Sequence, residues 1–237
     1  MNKIILSLLL TTAFAVSANA QNCVNSSRCD ELGYNKTITD CNGLDTLVCP
    51  FDSSKAFCIF LGKNCIIGDI LYSDKKCYTK APENKTAIGV VFDVGNRLAI
   101  ALDEKNLKWG GYGNEIGSAA RGTSGRSNTA AILAYGKANN IKYPAAEYCN
   151  SYSTSGTKAG DWFLPSIEEL KLLSGNFSAI NASLQTLGKA MSEDENGYYW
   201  SSSESTDNYA WRLVPSSGAT INLYKLTSIR VRPVLAF

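Results

Sequence analysis

Seven of the eight cysteines in this 237-residue chain lie between Cys23 and Cys77, and the eighth is Cys149. So dense a run of thiols points to disulfides, because a small exported module cannot bury enough apolar surface to fold unaided. A zinc site is the competing reading. It fails on ligands: no Cys-x-x-Cys pair occurs and the chain has no histidine. Cys65 and Cys77 are the expected pair, since the GDILYSDKK segment between them reads as a short hairpin that brings the chain back to its start. Cys29, Cys41, Cys49 and Cys58 belong to the same framework, but spacing does not give their partners, as six cysteines allow 15 pairings. Seven is odd, so either Cys149 pairs with one member of the cluster or Cys149 and one cysteine near the N-terminus both stay free.

An oxidising destination is read from the start of the chain. Lys3, an apolar run over residues 4–16 and the small-x-small site Ala18-Asn19-Ala20 form an export signal over residues 1–20. The run contains Thr11 and Thr12 and is shorter than the roughly 20 residues a spanning helix needs. A secreted or surface location, with no membrane insertion after signal cleavage, is therefore expected. Loss of Lys3 leaves 22 basic against 21 acidic residues, and the basic ones are scattered, so no nucleic-acid partner is expected.

The cysteine-rich module is taken as residues 21–80, a polar linker as 81–85, and a larger domain as 86–237. In that domain, 86–94 and 97–103 are β-rich runs joined by Gly95-Asn96, a hairpin signal. Residues 109–128 form a glycine-rich loop. GGYGNEIG lacks the Lys-Ser/Thr ending of a phosphate loop. Helices are expected over 129–139, from Ser166 to Gly175, and over 178–187. Ser166 and Glu169 have the spacing of a capping box, which accounts for one of the two adjacent glutamates otherwise readable as a catalytic acid pair. Strands follow over 199–201, 209–214, 219–224 and 229–235, with Pro233 marking the last as an edge or bulged strand.

Several words stand in a fixed order: Trp109 with the glycine-rich loop, Gly125-Arg126-Ser127-Asn128-Thr129 opening a helix, Cys149, DWFLPSIEEL, YYWSSSE, Ala210-Trp211 and VRPVLAF. Over residues 86–237 this order resembles the domain of unknown function at the C-termini of Legionella collagen-like adhesins, and it is similar to paralogous surface domains of Fibrobacter and gut bacteria. The resemblance implies an α+β, C-type-lectin-like domain: a twisted antiparallel sheet, two or three short helices and long loops. It also implies adhesion, with a glycan or a surface protein as ligand. A structural role in a cell-envelope assembly is the alternative.

Formylglycine-generating oxidases share the lectin-like fold, but they need a pair of cysteines in the domain, and here Cys149 stands alone. Without histidine, Ser-His and Cys-His nucleophiles are also out of reach, so no enzyme activity is expected. The calcium-lectin words Glu-Pro-Asn, Gln-Pro-Asp and Trp-Asn-Asp are missing. No cofactor is expected, with calcium at the acidic loops 193–196 and 204–208 the one alternative. The candidate ligand-binding residues are Arg121 and Arg126, for a sulfated polyanion, and Glu204, Asp207 and Asn208 in the second acidic loop. The four tryptophans are expected to be core anchors, with any exposed one a sugar-stacking surface.

Overall fold

Leu98-Ala99-Ile100-Ala101 alternates large and small apolar residues at strand period, and the fold uses both faces: Leu98 and Ile100 enter one core cluster, Ala99 and Ala101 another. A computed structural model of the protein describes residues 45–48, 56–59, 64–78 and 81–237, in two compact units. The smaller comprises Met1–Lys63 and Tyr78–Asn84. Its described part includes a hairpin of β1 (Asp45–Val48) and β2 (Ala56–Ile59), with Thr46 opposite Cys58. The signal segment and Cys23, Cys29, Cys41 and Cys49 lie outside the described residues, and of Cys58 only the backbone is described.

The larger unit comprises Asn64–Cys77 and Lys85–Phe237. Residues 64–77, assigned above to the cysteine-rich module, therefore fold with the larger body. The reason is pairing: β3 (Ile70–Tyr72) runs antiparallel to β4 (Ala87–Asp93), and Leu71 is fully buried in the core beneath. Cys65 and Cys77 are joined by a disulfide that closes this segment, with Cα atoms 5.3 Å apart. Cys149 is a buried free thiol, and burial pushes its pKa well up.

Two five-stranded sheets make up the frame. The first has the order β3-β4-β5-β12-β7, with β5 Leu98–Ala101, β7 Trp162–Phe163 and β12 Val234–Ala236. The hairpin of β4 and β5 turns at the Gly95-Asn96 site expected from sequence. The second has the order β10-β9-β8-β11-β6, with β6 Lys105–Lys108, β8 Tyr199–Glu204, β9 Tyr209–Leu213, β10 Thr220–Tyr224 and β11 Ser228–Val231. Its pairs are antiparallel except β11 with β8. The run 229–235 is thus two strands in two sheets. Pro233 sits where the chain leaves one sheet for the other, between two interior strands, where an edge or bulged strand is expected from sequence. It has no N–H to give to a ladder, and its carbonyl still accepts from Ala101 N–H at 2.9 Å.

Four helices cover the sheets: α1 (Gly125–Asn139), α2 (Pro144–Ser151), α3 (Ile167–Gly175) and α4 (Phe177–Thr186). Leu173, Ile180 and Leu184 from α3 and α4 pack with Val90, Phe92 and Tyr199, while Ile132 and Ala146 from α1 and α2 pack with Trp109 and Trp200. The capping box is present in both directions, Glu169 N–H to Ser166 Oγ at 3.1 Å and Ser166 N–H to Glu169 Oε2 at 2.8 Å. Glu169 also accepts the Gly125 N–H at the start of α1, at 3.1 Å. A Cβ at Gly125 would stand 2.4 Å from that carboxylate, so only glycine allows the approach. One glutamate therefore starts two helices. Burial raises its pKa, opposed by the backbone N–H groups of Ser166 and Gly125.

Trp109, Trp162 and Trp200 are buried with their indole N–H groups satisfied, by Ser201 O at 2.8 Å, Thr157 Oγ1 at 2.9 Å and Leu107 O at 3.1 Å. Replacing Ser166 by alanine removes the cap of α3 and should lower unfolding free energy by about 1 kcal/mol. Urea denaturation of wild type and variant measures it; an unchanged midpoint would show that the box contributes nothing.

Candidate ligand-binding site

The sequence word YYWSSSE is scaffold. Ser201 Oγ donates to Trp211 O at 2.6 Å, Asn128 Nδ2 donates to Ser202 Oγ at 3.2 Å, and Ser203 Oγ accepts from Ile167 N–H at 3.0 Å. Each hydroxyl ties β8 to a different part of the body. Glu204, at the end of the strand, has no exposed side-chain surface. Its carboxylate takes the Ile116 N–H at 3.0 Å, the Gly117 N–H at 2.7 Å and the Lys225 ammonium at 2.7 Å.

Lys225 is equally buried, donates also to Asn114 O at 2.9 Å, and lies 4.8 Å from the centroid of the Trp109 ring. Burial pulls its pKa below the ordinary lysine range, and the Glu204 carboxylate opposes that fall. The pair clamps the glycine-rich loop onto the sheet from beneath. Gly111 shows how closely the loop is seated: its φ is +63°, and a Cβ there would stand 2.2 Å from the Tyr143 ring.

Arg121 joins this cluster by pairing with Glu115, and it lies 3.9 Å from Glu204. Arg126 is elsewhere. Its guanidinium donates to Gly160 O and Asp161 O and lies over the Phe163 ring, 4.9 Å from its centroid. Three further arginines of the sheet are also engaged: Arg212 stacks on Tyr198, and Arg230 and Arg232 both face Glu104. Of the acidic-loop candidates, Glu204 points inward, whereas Asp207 is exposed and Asn208 half-buried in the turn between β8 and β9. That turn is stitched to the loop by Gly113 N–H to Asp207 O at 3.1 Å, and to Lys225 by its N–H to Asn208 O at 3.0 Å. Among the described residues no group of three or more His, Cys, Asp or Glu side chains is placed to hold a metal.

Beside this turn lies a surface the sequence analysis did not single out. Tyr224 on β10 is opposite Tyr209 on β9, and Asn222 is opposite Trp211, so all four share one sheet face. The Tyr209 and Tyr224 rings are 4.4 Å apart between centroids. Tyr112, from the glycine-rich loop, adds a third ring 6.2 Å from Tyr224. Tyr112 is 43% exposed and Tyr224 49% exposed, so the ring cluster leaves much of its apolar surface open to solvent. Trp211 is half-buried, unlike the other three tryptophans. The signal for this face was the two-residue period of Tyr209/Trp211 and Asn222/Tyr224, readable only once the two strands are known to pair in this register.

No family model matches the chain, and no curated protein matches it. Among solved structures, a fimbrial protein from Bacteroides ovatus is similar, with a TM-score of 0.59 and 17% identity over 73% of this chain and 49% of that one. At that identity the likeness is one of fold, and the chain spans about half the length of that protein. No helix among the described residues is long and apolar enough to cross a membrane.

Lys225→Met strands a buried carboxylate and should cost about 3–5 kcal/mol, while adding Glu204→Gln should recover part of the loss. Hydrogen exchange should quicken across residues 111–121 in the single variant. Equal stability of wild type and Lys225→Met would show that the pair does not hold the loop.

Proposed function

We propose that this is an exported bacterial binding protein of C-type-lectin-like fold, without enzymatic activity, that attaches to a glycan or a surface protein through the aromatic face formed by Tyr112, Tyr209, Trp211 and Tyr224. The observation that carries the reading is a cluster of rings on a rigid support, Tyr112 and Tyr224 exposed and Tyr209 and Trp211 half-buried beside them. The three tyrosines stand on two paired strands and a loop anchored by a buried ion pair, so little ordering entropy is lost when a ligand lands on them. Tyrosine is also a residue type that recognition surfaces favour, offering a flat apolar face and a polar tip. Asn222 shares the sheet face with the rings, its amide donating to Ser205 Oγ, and Asp207 and Asn208 stand in the turn that leads into Tyr209, so polar groups for ligand hydroxyls or amides are close in the chain.

A neutral ligand suits this face better than a sulfated one. The candidate arginines are engaged with carboxylates, carbonyls or rings of the domain itself, and the exposed charged residue two positions before Tyr209 is acidic Asp207. The resemblance to the collagen-like adhesins thus supports attachment, and the charge distribution argues for a different ligand from a glycosaminoglycan. A structural role in an envelope appendage is the second reading, favoured by the fimbrial protein of similar fold.

Glycan-array and surface-protein binding of the mature chain, with and without a calcium chelator, separates the two. Binding should survive chelation, and Tyr224→Ala should weaken it about tenfold or more with no change in melting temperature. Failure to bind any glycan or surface protein, together with cofractionation with appendages, would favour the structural role.

A further inference from the structure

We propose that Lys225 and Glu204 condense into an intramolecular amide, a covalent cross-link between the end of β8 and the residue that follows β10. The two groups are already in contact, with Lys225 Nζ 2.7 Å from Glu204 Oε1, and neither side chain has exposed surface. In each of the other ion pairs among the described residues at least one side chain meets solvent. This pair alone among them is dry on both sides.

Dryness changes what the two groups do to each other. A proton passed along their hydrogen bond turns ammonium and carboxylate into amine and carboxylic acid, an exchange that burial favours because it removes both charges. Burial already pulls the Lys225 ammonium toward its neutral form. The free amine then attacks Glu204 Cδ, and negative charge gathers on Oε2. That oxygen is held in advance by the Ile116 and Gly117 N–H groups, at 3.0 and 2.7 Å, with the Arg121 guanidinium 3.9 Å away. The nitrogen gives a second proton to Oε1, the Cδ–Oε1 bond breaks, and one water leaves. Nothing is oxidised or reduced, and no further reactant is needed. A spare hydroxyl also stands near the pair. Tyr143 Oη is buried without a hydrogen-bond partner among the described residues, and burial, then Tyr135, then the Glu204 carboxylate push its pKa up to about 12.

The surroundings fit the product as well as the ion pair. The amide N–H keeps Asn114 O, which lies 2.9 Å from Nζ, and the amide carbonyl keeps the two backbone donors on Oε2. Every polar group of the link is then satisfied, no buried charge remains in it, and hydrolysis would need water that the site excludes. Residues 204–225 become a closed ring that carries Tyr209, Trp211 and Tyr224. The link forms or fails to form whatever those rings bind.

Intact mass spectrometry of the wild-type mature chain, reduced and denatured, reads the cross-link directly. The mass should fall below the sequence value by one water. A tryptic digest should yield a branched peptide joining Glu204 to Lys225, with no cleavage after Lys225. Lys225→Met and Glu204→Ala should each show their full sequence mass. The wild-type digest decides the matter even where those variants fold poorly. A wild-type mass equal to the sequence value, with trypsin cutting after Lys225, leaves the two residues as an ion pair and overturns the proposal. A loss of water that maps to other residues overturns it too.

Discussion

The exposed end of the larger unit depends on one buried ion pair. Glu204 ends the first strand of a three-strand meander and Lys225 follows the last, yet both side chains turn inward, and between them they satisfy the Ile116 and Gly117 N–H groups and the Asn114 carbonyl. An isolated charge in that position would be costly to desolvate. The pair is tolerable because each partner has further hydrogen bonds and the Trp109 ring lies against the ammonium. A loop rich in glycine has high conformational entropy when free, and here its backbone is held from below by side chains it does not own. The rings above it therefore stand on a fixed base.

Where a structural signal was local, the sequence carried it. Ser166 and Glu169 are three residues apart, and their reciprocal hydrogen bonds need nothing from the rest of the chain. Gly95-Asn96 marks a turn for the same reason, and the short segment between Cys65 and Cys77 closes on itself. Other features arise only from distant partners. β6 has no apolar alternation because it is an edge strand with lysines at both ends, and nothing in KNLK announces it. The start of α2 at Pro144 does carry a local signal, proline at the first helical position with the Glu147 carboxylate accepting the Tyr143 N–H.

The candidate site was legible in outline and misread in detail. The 204–208 turn and the glycine-rich loop meet, and of the acidic residues in that turn Glu204 faces the interior while Asp207 faces solvent. A register shift in the pairing of β8 with β9, between Trp200 and Glu204, accompanies the inward turn of the glutamate, and no spacing rule reveals it. Arg121 and Arg126 are close in sequence, but the helix start at Gly125 carries Arg126 away to the Gly160 and Asp161 carbonyls. The tyrosines escaped notice because an isolated tyrosine is unremarked in any strand, and Tyr112, Tyr209 and Tyr224 gather only through the β9–β10 register and the seating of the loop.

The division of the last apolar run between β11 and β12 has a mechanical side. β11 lies between β8 and β6, and β12 between β5 and β7, so neither is a border strand. Phe237 is tied back to Arg97 through both its N–H and its carbonyl. Tension entering at Phe237 would load hydrogen bonds along their length in two sheets in succession, a shear arrangement that resists pulling far better than the unzipping of a border strand.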